Sequence, residues 1–108
     1  MIVLRVDGLP GEPLPAASLF HARWLGEVER ALQAGDVAIV LEPADHRHRD
    51  WRQALARDLA RAHAPHRANV VAGADREIAA IAAYLERAPA ITGQYLEGDG
   101  QGAGDPAE

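Results

Sequence analysis

The sequence has no cysteine, which excludes disulfides, zinc–thiolate sites and a cysteine nucleophile. It has no lysine either, so its basic side chains are arginines and histidines, and chemistry that needs a lysine amine cannot come from this chain. Serine occurs once, as Ser18. That residue follows a Gly/Pro-rich loop, a place that suits a helix N-cap better than a nucleophile. Aromatics are scarce, with two Trp, two Tyr and one Phe, so the position of each carries weight. No apolar run approaches the roughly 20 residues of a membrane span. The opening MIVLRVDG is too short for a signal segment and carries Arg5 early. The net charge of -5 gives nucleic-acid binding no electrostatic support. These absences predict a cytoplasmic chain whose partners include neither membrane nor nucleic acid.

What remains is an ordinary globular composition, 48% hydrophobic and 25% charged over 108 residues, enough for one small domain. Ile2 to Val6 reads as a first strand, and Gly8 to Pro15 as a loop. Helical spacing runs from Leu19 to Gln33, with one stripe of Leu25, Val28 and Leu32 and a second of Phe20 and Trp24. Gly35 marks its stop. Val37 to Leu41 (VAIVL) is an unbroken apolar run, as expected of a strand buried on both faces of a parallel sheet. A second helix is predicted from about Asp50 to His63, with Trp51, Leu55, Leu59 and Ala62 on one face and Asp50 as cap. A third strand follows at Ala68 to Ala72. A third helix, capped by Asp75, buries Ile78, Ile81, Ala82 and Leu85, and Gln94 to Glu97 forms a last strand. Strands alternating with helices imply a parallel α/β sheet built from crossover units. The expected domain is 1–97, and the Gly- and acid-rich segment 98–108 is expected to be a flexible tail.

Two segments carry a family resemblance. ALARDLARAHAPHRANVVAG resembles the stretch of short-chain dehydrogenases/reductases in which a long helix ends in Ala-Pro and feeds a strand read Arg-Val-Asn-x-Val. Here that strand is Arg67-Ala68-Asn69-Val70-Val71. AAYLERAPAITGQYLEGDG resembles the family's closing segment, with Ile91-Thr92-Gly93-Gln94 leading into the last strand and then Asp99-Gly100. The chain therefore resembles the C-terminal half of that fold. The resemblance implies a small Rossmann-like sheet of about four strands in order 1-2-3-4, with two helices on one face and one on the other. It also implies an unusual left-handed crossover before the last strand, with residues of IVLRV and VAIVL left partly bare.

The departures from the family are as informative. The Gly-rich turn that seats NAD(P) pyrophosphate on a helix N-terminus is missing, because Pro10, Pro13 and Pro15 remove amide donors after Gly8 and Gly11. The catalytic Tyr-x-x-x-Lys pair would fall near Asp45 and Arg49, and neither residue reproduces a tyrosine proton donor with its lysine. The segment that covers substrate is missing too, since Gly73 leads almost directly to the helix at Asp75. The expectation is a non-catalytic domain with no cofactor and no catalytic or cofactor-binding residue. Its role would be an oligomerisation or accessory module. The alternative is a residual reductase-type enzyme or small-molecule binder using the cleft at the strand ends, where Asp7, Glu42 and Gly73 lie.

Two further groups stand out. His46 and His48, flanked by Asp45 and Asp50, have the residue types of a zinc or nickel site, with His63 or His66 as further ligands. They suit a solvated loop, with Asp50 capping the next helix, better than a metal site. Asn69 reads as a strand residue satisfied by backbone. Phe20 and Trp24 on the first helix and Trp51 on the second have two readings, packing inside one chain or facing another subunit. The resemblance implies the second, because the equivalent helices of the family form a four-helix bundle across a dimer axis. That places Phe20, Trp24, Trp51 and Leu55 at a candidate interface, with a second copy or a full-length reductase subunit as partner.

Overall fold

The computed structural model describes residues 1–98; the rest of the expected tail, 99–108, lies outside the described residues. Four strands, β1 (Ile2–Arg5), β2 (Val37–Leu41), β3 (Ala68–Ala72) and β4 (Tyr95–Glu97), form one sheet in the order β1-β2-β3-β4. Every neighbouring pair is parallel. The register pairs Leu4 with Ile39, Ile39 with Val70 and Val70 with Tyr95. β2 and β3 are buried at all five positions, which is why they are continuous apolar runs and not alternating ones.

A continuous helical segment links β1 to β2: α1 (Pro13–Leu19), a π turn (Phe20–Trp24) and α2 (Leu25–Ala34). It starts six residues earlier than the spacing predicts, so Ser18 is an exposed mid-helix residue and not the N-cap, which is Glu12. Pro13 and Pro15 do not prevent this start. First-turn amides have no intrahelical acceptor, so their loss costs nothing there. The π turn explains the two stripes. Leu25 N–H bonds Phe20 O, five residues back, and the extra residue brings the Phe20–Trp24 stripe into phase with Leu25, Val28 and Leu32.

A short 3-10 turn (His46–His48) leads into α3 (Arg49–His63). The cap here is Asp45, which accepts Arg47 N–H at 3.0 Å, and not Asp50. The buried stripe of α3 is Arg52, Leu55, Ala56 and Leu59, while Ala62 is exposed. The last helix, α4 (Asp75–Arg87), is capped from Glu77 and not from Asp75. The Glu77 carboxylate reaches back to accept Ala74 N–H at 2.7 Å, one half of a capping box. Gly73 permits this: its φ is +154°, and a Cβ there would stand 2.8 Å from Glu77 Oε1.

The long helical segment and α3 cover one sheet face, where Phe20, Val28, Leu32, Leu55 and Leu59 pack on Leu4, Ile39 and Val70. α4 covers the other, with Ile78 and Leu85 on Ala38, Val40 and Val71. The three crossovers step across the sheet in the same direction. The β3–α4–β4 unit therefore has the opposite hand to the first two. The expectation that VAIVL is left bare is corrected: Ala38 is 1% and Val40 5% exposed, because Ile78 and Leu85 reach across both central strands. Within the sheet, the exposed large apolar side chains are those of β1, Ile2 and Val3.

The family-like motifs are interlocks between β3 and the segment entering β4. Thr92 Oγ1 accepts Ala68 N–H at 3.0 Å, and Gly93 N–H donates to Ala68 O at 2.8 Å. Asn69 donates through Nδ2 to Ile91 O and accepts Gln94 N–H, both at 3.1 Å. As expected, its amide is satisfied by backbone.

Candidate functional site

The carboxyl ends of β1 and β2 open into a cleft of about 430 Å³, lined by Val6, Leu9, Gly11, Glu42, His48 and Arg52 among others. That volume lies within the roughly 300–1,000 Å³ of small-molecule sites. The loop after β1 forms one wall and the 3-10 turn before α3 forms the other. His48 holds them together. Trp51 Nε1–H donates to His48 Nδ1 at 3.1 Å, so Nδ1 is an acceptor and the ring proton lies on Nε2. From there it donates to Gly11 O at 2.8 Å. His48 is 3% exposed and both its nitrogens are engaged, so it does not face outward beside the exposed His46. His63 pairs with Glu29 at 2.9 Å, and His66 bonds Leu32 O. Among the described residues no three His, Asp or Glu side chains gather as metal ligands.

Asp45 and Arg49, where the tyrosine and lysine of the resembling family would fall, are both occupied by ion pairs. Arg47 Nε and Nη2 bond Asp45, and Arg47 Nη1 reaches Glu12 at 3.1 Å. The Arg47 side chain and backbone N–H hold the Asp45 carboxyl down at about 2, so it is an anion, not a proton donor, at neutral pH. Arg49 Nη2 donates to Glu97 Oε1 at 3.2 Å.

Spacing alone did not single out the residue at the back of the cleft, Arg52. It is 3% exposed and lies between two rings, 5.6 Å from Trp51 and 5.7 Å from Tyr95. Nη1 donates to Tyr95 Oη at 2.9 Å, and that hydroxyl donates to Glu97 Oε2 at 3.2 Å. Burial pushes the Tyr95 pKa up, against the pull of Arg52, so the phenol remains a donor. No ion pair among the described residues includes Arg52, and its Nε is buried without an acceptor. The signal was present: Arg52 precedes Leu55 by three and Ala56 by four, the spacing of the apolar stripe. A second, shallower cleft of about 220 Å³ on the opposite face is lined by Arg5, Asp7, Glu42, Gly73 and Asp75.

Of the four aromatic-face candidates, Phe20 (0% exposed) and Leu55 (4%) belong to the interior of one chain. Trp24 and Trp51 are half-buried. Trp51 packs on Phe20 with ring centroids 6.0 Å apart. It also borders a groove of about 360 Å³ between α2 and α3, floored by Leu25, Leu55 and Leu59 and edged by Ala54 and Ala62. Trp24 Nε1 is buried without an acceptor. No helix among the described residues is long and apolar enough to cross a membrane.

No curated protein and no solved structure matches the chain. A family model, described as short chain dehydrogenase-like protein (SDR-like), matches residues 4–98. That match begins within β1, runs through β4 and takes in the helices packed on the sheet, and the chain belongs to the SDR-like family.

Proposed function

We propose that this chain is a non-catalytic SDR-like assembly module that pairs with a second copy of itself through the α2–α3 face. The observation that carries the reading is the apolar groove beside Trp51, which a neighbouring helix can fill. The acids that line it, Glu29 and Asp58, are already paired within the chain, with His63 and Arg61, so its apolar floor is the feature offered to a partner. Leu55 floors the groove and Trp51, packed on Phe20, borders it; Trp24 lies on the π turn that leads into α2. Sedimentation velocity at micromolar concentration is expected to give twice the chain mass. Ala62→Glu, at an exposed edge of the groove, is expected to return it to the single-chain mass with unchanged circular dichroism, as are Trp24→Glu and Trp51→Glu. A clean monomer for the parent chain refutes self-pairing. A complex formed only when a full-length reductase is added replaces the second copy with that partner.

A second reading, favoured by the state of Arg52, is small-molecule binding in the strand-end cleft. Titration with NADH and NADPH, followed by tryptophan fluorescence, separates the two. The module reading expects no saturable micromolar change. Tight stoichiometric uptake gives the cleft a cofactor and overturns the expectation of a cofactor-free domain.

A further inference from the structure

We infer that the strand-end cleft is a binding site for a small monocarboxylate, held by the guanidinium of Arg52; this rests on the second reading above. A guanidinium has five N–H donors. Among the described residues, only an Nη1–H of Arg52 meets a protein acceptor, and that acceptor is a neutral phenol. A cation 97% shielded from water with no carboxylate beside it is costly unless an anion completes it. Glu97, the nearest acid along the hydrogen-bond chain, is separated from Arg52 by Tyr95 and already paired with Arg49.

The geometry selects the anion. Tyr95 engages Nη1, leaving Nε and Nη2, the two donors along one edge of the planar fork. That edge matches the two oxygens of a carboxylate. Trp51 and Tyr95 hold the plane. Nε is closed to water in the unliganded chain, so seating both oxygens turns the guanidinium slightly toward the cleft and changes its contact with Trp51. Val6, Leu9, Pro10, Pro43 and Ala44 give the cleft apolar walls that take a short hydrocarbon body. Glu42 and Asp45 also line the cleft and repel a dianion, which favours a monocarboxylate over phosphate.

The probe is butyrate at constant ionic strength, followed by tryptophan fluorescence and by the amide resonances of Gly11 and Ala44. Saturable changes are expected with Kd on the order of 1 mM. Butyramide, the uncharged counterpart, is expected to bind at least tenfold more weakly, and inorganic phosphate to shift neither amide. Arg52→Met is expected to abolish the response. So is Ala44→Leu, which fills the cleft while leaving Arg52 in place, and which keeps the test valid if the arginine variant does not fold. Equal binding of butyramide, or undiminished binding to a folded Ala44→Leu, overturns the proposal. Shifts with phosphate or NADPH but not butyrate overturn the carboxylate assignment and leave a cleft ligand standing. No shift from any of them removes both.

Discussion

Two shielded arginines at opposite ends of the sheet are used in opposite ways. At the amino ends of the strands, Arg67 is held by an ion pair and by three carbonyls. Its N–H and Nε bond Asp36 at 2.7 and 2.9 Å, and Nη1 reaches Leu85 O, Ala88 O and Ile91 O. It ties β2 and β3 to carbonyls at and just beyond the end of α4. At the carboxyl ends, Arg52 is more deeply buried yet meets one neutral acceptor. The difference separates a residue that holds the fold from one left available to a ligand, and it places the available one where parallel sheets bind their ligands.

This contrast can be broken by substitution. Arg67→Ala removes a partly buried charged pair and three charge-assisted hydrogen bonds to carbonyls, and is expected to destabilise by about 3 kcal/mol. Thermal melts should show a fall of roughly 12–24 °C for a domain of this size. A fall of only a few degrees would remove the structural half of the comparison. Asp36→Asn sharpens it through pH. The Arg67 backbone N–H, with its side chain, lowers the Asp36 pKa below its unfolded value. The stabilisation is therefore full above that unfolded value and is lost as pH falls through the folded one. Chemical denaturation should show parent and variant differing by about 1–2 kcal/mol at neutral pH and converging below roughly pH 4. A gap that stays constant into acid contradicts the pairing.

At the open end, His48→Ala loses the Gly11 contact and the acceptor for Trp51, and is expected to cost about 1–2 kcal/mol in equilibrium unfolding, less than Arg67→Ala. A larger loss would make the cleft wall part of the structural core. Arg61→Ala breaks an exposed i,i+3 pair with Asp58, 2.9 Å apart. It should leave stability within about 0.5 kcal/mol.

The sheet was legible in the sequence because VAIVL and ANVVA are buried on both faces and therefore apolar throughout. The closing motif was legible because Asn69, with two backbone partners, and Thr92 and Gly93, with one each, interlock β3 with the segment entering β4. The helix start at Pro13 was not, since prolines that signal a loop are equally at home in a first helical turn. Arg52 is not legible, because spacing assigns the inward face of α3 to its neighbour Trp51, with Leu55, Leu59 and Ala62. The π turn upstream and the 3-10 entry to α3 shift which residues face inward, and spacing by 3.6 residues does not register such shifts.

The contrast is tested most directly by Arg52→Met, melted beside the parent chain and titrated with butyrate. A buried cation without an anion partner exchanged for an apolar side chain of similar length should change stability by no more than about 1 kcal/mol, with the butyrate response gone. A melting temperature that drops as far as that of Arg67→Ala, or a response to butyrate that survives, contradicts the account.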